Sequence, residues 1–223
     1  MLARVHTRRG GYACFCNVHV VVSALHDVAL RDSVEGAWAR FPDGEPVAWM
    51  QRRLGERRAR RVAGPDLMPR IFELGVPLGL RHYLVGATDD VLERIRERFP
   101  DVVFAGWSAP QITGAATVSS DLCAEIRTAQ PDLVWCAFGA PKQELWMRQH
   151  APLLAPAALL GVGAAFDFVA GAKSRAPVRM QGLGLEWLHR LVSEPRRLTG
   201  RYARTNSEFV VRAARDLVGS ALR

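Results

Sequence analysis

Asp43 stands in Pro42-Asp43-Gly44, a carboxylate in a turn. Two readings of it compete. Pro-Asp-Gly is among the commonest turn sequences and needs no chemistry to explain it. The sharper reading is a general base, because a carboxylate held beside a bound hydroxyl can take its proton. A second group, Phe138-Gly139-Ala140-Pro141-Lys142-Gln143-Glu144, follows the clearest apolar strand. A glycine turn between a strand's carboxyl end and a helix start is a good place to meet a ligand. A solvated first helical turn accounts for Gln143 and Glu144 equally well. The third group is cationic. Arg190, Arg196, Arg197, Arg201 and Arg204 have one acid among them, Glu194. Such arginines make a solvated face, or they repel one another until an anion sits among them. Their planar forks suit a diphosphate.

Charge is distributed unevenly. The chain of 223 residues carries +8. Eleven Lys/Arg against four Asp/Glu follow Gly171, so +7 lies in the tail and +1 in the preceding 170 residues. A uniformly basic surface would point to nucleic acid. A neutral body with a basic tail points to a local anion, either a phosphate, a nucleotide or an anionic lipid. A nucleic-acid partner is set aside, because the tail interleaves only Trp187, Tyr202 and Phe209 with its cations.

Other chemistries find little support. Gly161-Val162-Gly163-Ala164-Ala165-Phe166 hints at a dinucleotide loop, but its glycines fall in an apolar run with no acidic ribose partner at the usual distance. Asp89-Asp90 reads as a helix cap. The six histidines are scattered, so no metal site and no cofactor are expected. Cys14, Cys16, Cys123 and Cys136 have no zinc-ligand spacing and read as reduced core thiols of a reducing cytosol. Met1 to Gly11 is basic without the apolar segment of a secretory signal. Ala151 to Phe166 is apolar but broken by prolines and glycines, and shorter than the ~20 residues a bilayer crossing takes. A chain of this kind that meets a membrane lies on it.

The positioning elements alternate. Strands are expected at Tyr12 to Asn17, Arg81 to Gly86, Asp101 to Gly106, Asp132 to Gly139 and Ala157 to Ala165. Helices are expected at Val20 to Leu30, Asp89 to Phe99 behind Thr88, Val118 to Gln130, and from Pro141. Apolar strands alternating with helices predict an α/β fold, a Rossmann-like parallel sheet flanked by helices. Residues 1–170 form the expected catalytic core and 171–223 a basic helical appendage. In the appendage, Leu185 to Val192 is a short helix. A longer one starts near Tyr202, with Phe209, Val210, Ala213, Ala214, Leu217, Val218 and Ala221 on one stripe. That stripe suits packing on the body or contact with a membrane surface.

In order, Asn17, Pro42-Asp43-Gly44, Arg61 to Leu67, Gly139 to Glu144, Gly161 to Asp167, Arg175-Ala176-Pro177, Gly184 to Arg190 and Glu194 to Arg197 resemble the WecG/TagA/CpsF glycosyltransferases, over about residues 12 to 205. The resemblance implies inverting, metal-independent transfer of a sugar from a UDP-sugar donor to an undecaprenyl-diphosphate-linked acceptor, in making cell-surface polysaccharide. The sugar it implies is N-acetylmannosamine-like, its uronic acid or another hexose. It implies a peripheral protein on an anionic membrane surface, at the cytoplasmic face, and leaves homo-oligomerisation open. By resemblance Asp43 matches the catalytic base, with Arg61 and Gln143 in the active site. Asn17, Gly139, Lys142, Glu144 and Asp167 fall at substrate-binding positions. Arg190, Arg197 and Arg201 lie in a mobile appendage that closes over the donor diphosphate. Phe15 stands where the family has threonine, and relatives carry a further strand and helix before Tyr12. The competing reading is a non-catalytic basic adaptor for membrane surfaces.

Overall fold

The computed structural model describes the backbone of residues 1–109, 120–177, 179–180 and 185–221, and their side chains except at 120, 197, 201 and 217–221. Six strands form one all-parallel sheet: β1 Gly11–Cys16, β2 Ala39–Pro42, β3 Arg81–Gly86, β4 Val103–Ser108, β5 Leu133–Ala137 and β6 Ala158–Gly161. Their spatial order is β2-β1-β6-β5-β3-β4. The chain runs outward from β1 to β2, then resumes at β3 on the far side of the sheet. This reversal opens a crevice at the carboxyl ends of the central strands, the usual ligand position in open parallel sheets.

α-Helices flank the sheet, with a 3-10 turn at Val76–Leu78. They are α1 Leu2–His6, α2 Val18–His26, α3 Val28–Glu35, α4 Glu45–Arg53, α5 Gly64–Gly75, α6 Asp89–Arg98, α7 Ser120–Ala129, α8 Lys142–His150, α9 Ala165–Val169, α10 Glu186–Ser193 and α11 Pro195–Ala221. The period-two alternation of β1 sends Tyr12, Cys14 and Cys16 to one face and Ala13 and Phe15 to the other. The first face is a core with Tyr83, Val134, Cys136, Trp146 and Met147. The second packs Leu84, Trp135 and Leu160 against Met68, Phe72, Ile95 and Phe166. All four cysteines are buried free thiols, as expected. His82 is a core histidine: its Nδ1 accepts from Trp135 Nε1 at 3.0 Å, and burial lowers its pKa to about 4.

Three expectations are corrected. The helix expected over Val20 to Leu30 is two helices. Asp27 interrupts it with an extended backbone and caps α3 by accepting from Leu30 N at 3.0 Å. The strand expected to Ala165 stops at Gly161, because Gly163 turns the chain with φ +54° and α9 begins at Ala165. The long helix expected from near Tyr202 begins seven residues earlier, at Pro195. β2, α4 and α5, between residues 39 and 75, carried too weak a periodicity to be assigned from sequence. β2 is a four-residue edge strand, paired to β1 through Phe15 opposite Phe41.

Candidate active site

A cavity of about 1060 Å³ opens at the carboxyl ends of β1, β2, β5 and β6, beneath α10 and α11. Asn17 ends β1 and caps α2, its Oδ1 accepting from Val20 N at 3.1 Å. Asp43 follows β2 directly, and its N–H donates to Cys16 O at 3.0 Å. That bond holds the two strand ends together and brings Asn17 into hydrogen-bonding reach of the Asp43 carboxylate. Gly44 then turns sharply at φ +130° into α4, a conformation that disfavours other residues.

Burial pushes the Asp43 carboxyl up to about 6. The Arg190 and Arg61 guanidiniums oppose the rise, the Glu186 carboxylate adds to it, and the Asn17 hydrogen bond opposes it. A carboxylate of that basicity is ionised near neutrality and is a better proton acceptor than an exposed one.

Arg61 is brought in by Val62 N donating to Pro42 O at 2.9 Å. Its guanidinium meets Glu186 of α10 across 125 residues and lies 3.8 Å from Asp66 at the start of α5. Arg175 completes the cluster, pairing with Asp66 and, at 3.4 Å, with Glu186. Two cations and two anions thus join α10 to the body. Nearby, Lys173 Nζ contacts Asp167 at 2.8 Å and Glu194 at 3.2 Å. Glu186 and Arg190 are one helical turn apart and both line the cavity. The Arg190 guanidinium lies 5.6 Å from the Phe168 ring centroid, and its buried Nε has no hydrogen-bond partner among the described residues.

Gln143 is buried, and its amide is committed. Its Oε1 accepts from Gly139 N at 3.2 Å, and its Nε2 donates to Gly161 O at 2.8 Å and Glu144 Oε1 at 2.9 Å. The side chain thereby ties the turn after β5 to the end of β6. Glu144 lies behind it, fully buried, raised to about 7 by burial, with Oε2 unpartnered among the described residues. Its surroundings include Cys14, Cys16 and Cys136 rather than solvent.

Of the residues picked out from sequence, Asn17, Asp43, Arg61, Gly139, Gln143, Asp167 and Arg190 line one cavity. Lys142 and Glu144 do not, since the start of α8 turns Gln143 alone toward it. The side chains of Arg197 and Arg201 lie outside the described residues. The turn and base readings of Asp43 turn out compatible, since the turn places the carboxylate. Sequence reasoning missed Glu186, Asp66 and Arg175 as ion-pair partners, and Trp49, Phe168 and Asn206 as lining. The available signal for Glu186, Asp66 and Arg175 was their place inside the quoted motifs, and Trp49, Phe168 and Asn206 lie outside them. Among the described residues no group of three or more His, Cys, Asp and Glu is arranged to hold a metal ion, and no helix is long and apolar enough to cross a membrane.

Comparison with known proteins bears on this arrangement. Residues 1–222 match the glycosyl transferase WecG/TagA/CpsF family. An N-acetylglucosaminyldiphosphoundecaprenol N-acetyl-beta-D-mannosaminyltransferase of Bacillus subtilis (strain 168) is 30% identical over 183 residues, covering 80% of this chain and 70% of the relative. A protein of the same description from Bacillus spizizenii (strain ATCC 23059 / NRRL B-14472 / W23) is 27% identical over 193 residues, covering 85% and 74%.

Proposed function

Since the chain belongs to the WecG/TagA/CpsF family of glycosyl transferases, we propose that it moves an N-acetylmannosamine-like sugar from a UDP-sugar to an undecaprenyl-diphosphate-linked acceptor. The acceptor class rests on the names of the two Bacillus relatives. The observation that carries the mechanism is the Asp43 carboxyl, raised to about 6 in the cavity and flanked by the charges of Arg61 and Arg190.

In this mechanism the acceptor hydroxyl sits beside Asp43, which takes its proton as the oxygen attacks the anomeric carbon. Attack opposite the leaving group breaks the bond to UDP and inverts that carbon. Charge develops on the departing diphosphate, and fixed cations stabilise it there. Arg190, with its unpartnered buried Nε, and Arg61 supply that charge without a metal ion. Gln143 acts as a positioning residue, holding the Gly139 and Gly161 turns in register. The protein works as a peripheral enzyme at the cytoplasmic membrane face, needs no cofactor, and uses residues 171–223 as a closing appendage.

The test is transfer from radiolabelled UDP-N-acetylmannosamine to a lipid-linked N-acetylglucosaminyl diphosphate, resolved by chromatography, with the anomeric product read by NMR. A β-linked product from an α-linked donor supports the proposal. UDP binding without transfer to any lipid-linked acceptor refutes it in favour of a non-catalytic adaptor.

A further inference from the structure

The cavity has two chemically different ends. At the strand ends it presents Asn17, Asp43, Arg61 and Asp167. Away from them its wall is one stripe of α11, formed by Leu198, Tyr202, Asn206, Phe209, Val210 and Ala213. These positions recur at three- and four-residue steps, so they share one helix face. From Leu198 to Ala213 the stripe runs ~22 Å at the helical rise. Trp49 of α4 and Trp187 of α10 line the same space from other elements.

This stripe is not fully consumed by packing. Leu198 and Ala213 are buried, where α11 lies along α2, and His26 Nε2 meets Glu208 at 2.8 Å. Val210, Trp49 and Trp187 remain 64%, 37% and 39% exposed while lining the cavity. Three large apolar side chains from three helices thus face one space with water on it. That arrangement is costly unless an apolar ligand covers them.

We infer that this arm, walled by Tyr202, Phe209 and Val210 of α11 with Trp49 and Trp187, holds the first isoprenoid stretch of the acceptor's lipid. The inference rests on the proposed function, and the pairing of polar and apolar lining in one cavity supports it. An acceptor of the relatives' class runs from sugar to diphosphate to polyprenyl chain. One cavity holds the Asp43 carboxylate, with the Arg190 guanidinium in electrostatic reach of it, together with the apolar arm on α11. A hydroxyl placed at Asp43 therefore leaves the acceptor's hydrocarbon within the same cavity as the apolar face of α11. The lipid is then recognised by the protein as well as by the bilayer.

Farnesyl diphosphate and inorganic diphosphate are the probes, with binding read by tryptophan fluorescence, since Trp49 and Trp187 flank the arm. The full-length protein is compared with Phe209→Gln and Val210→Gln, which keep good helix formers at the two positions. Val211→Gln is the control, an exposed neighbour that does not line the cavity. The wild type should bind farnesyl diphosphate roughly tenfold or more tightly than inorganic diphosphate, the scale of burying one large apolar group. The two arm variants should lose most of that preference, while Val211→Gln keeps it and UDP affinity is unchanged in all three. Equal affinity for the two probes in the wild type overturns the inference. So does weaker vesicle flotation of the arm variants with unchanged farnesyl diphosphate affinity, which assigns the stripe to the bilayer alone. Failure of the function itself looks different, as absence of transfer to any lipid-linked acceptor whether or not UDP binds.

Discussion

Replacing Asp43 with Asn should make the protein less active and more stable at once. The carboxyl is raised from the ordinary 3.8 to about 6, chiefly by burial. The folded state therefore holds a proton that the unfolded state releases between those values. The stability this lends is fully present below about pH 4 and is lost as pH rises through 6. Above that, the buried carboxylate costs the fold at most about 3 kcal/mol, less where cavity water reaches it. Asn keeps the shape and the acceptor oxygen for Asn17 without the charge. Asp43→Asn should thus melt several degrees higher than the wild type near pH 7.5, at ~2–4 °C per kcal/mol for a chain of this size. The difference should shrink toward zero near pH 4. Turnover should fall by ~100-fold or more, the usual share of general-base catalysis. The wild-type kcat/KM should decline below about pH 6, and the variant should lack that acid limb. Melting curves at both pH values and a pH–rate profile with saturating donor check all three. Wild-type turnover in the Asn variant, or an unchanged acid limb, refutes Asp43 as the base. A lower melting temperature near pH 7.5 refutes the desolvation argument.

Other consequences are as direct. Glu144→Gln should raise stability near pH 8 and leave it unchanged near pH 5, because burial lifts this carboxyl to about 7 and Gln still accepts from Gln143; denaturant titrations at the two pH values decide it. Gly161→Ala should cost about 1–3 kcal/mol, as an added Cβ would lie 2.5 Å from Met147 Cε and 3.1 Å from Gln143 Nε2; transfer should fall with it, measured on protein still folded at the assay temperature. Activity should survive EDTA, with arginines taking the diphosphate charge; loss restored by magnesium or manganese would overturn this. Deleting residues from Arg190 onward should abolish transfer and weaken flotation with anionic vesicles, and flotation of the intact chain should fall as salt rises; a truncated protein that keeps both properties reduces the tail to a packed helix.

Much of the scaffold was legible because it is written in local patterns. Leu133–Ala137 is apolar at every position, since both faces of a central parallel strand are covered. Gly139 at φ +77° and Gly44 at φ +130° stand where the chain turns into helices, and glycine is the residue that tolerates those angles. Asp43 was visible as a turn carboxylate, and the tail's arginines were visible as an unbalanced charge. β2 was not legible, because four residues at a sheet edge carry no decisive periodicity.

The sequence by itself determined the fold class, the turns at the strand ends and the place of the charge. Those depend on neighbours a few residues apart, whose side chains alternate or recur with the backbone's own period. Only the tertiary structure decided what these groups do to one another. Arg61 meets Glu186 across 125 residues, and Gln143 reaches eighteen residues forward to Gly161 O. The apolar stripe of α11 became a cavity wall because α11 lies along α2 above the strand ends. The basicity of Asp43 is set by burial and by the charges of Arg61 and of Glu186 and Arg190 on α10, drawn from two stretches of chain remote from Asp43. Desolvation and Coulomb energies depend on distance through space, which no spacing along the chain encodes.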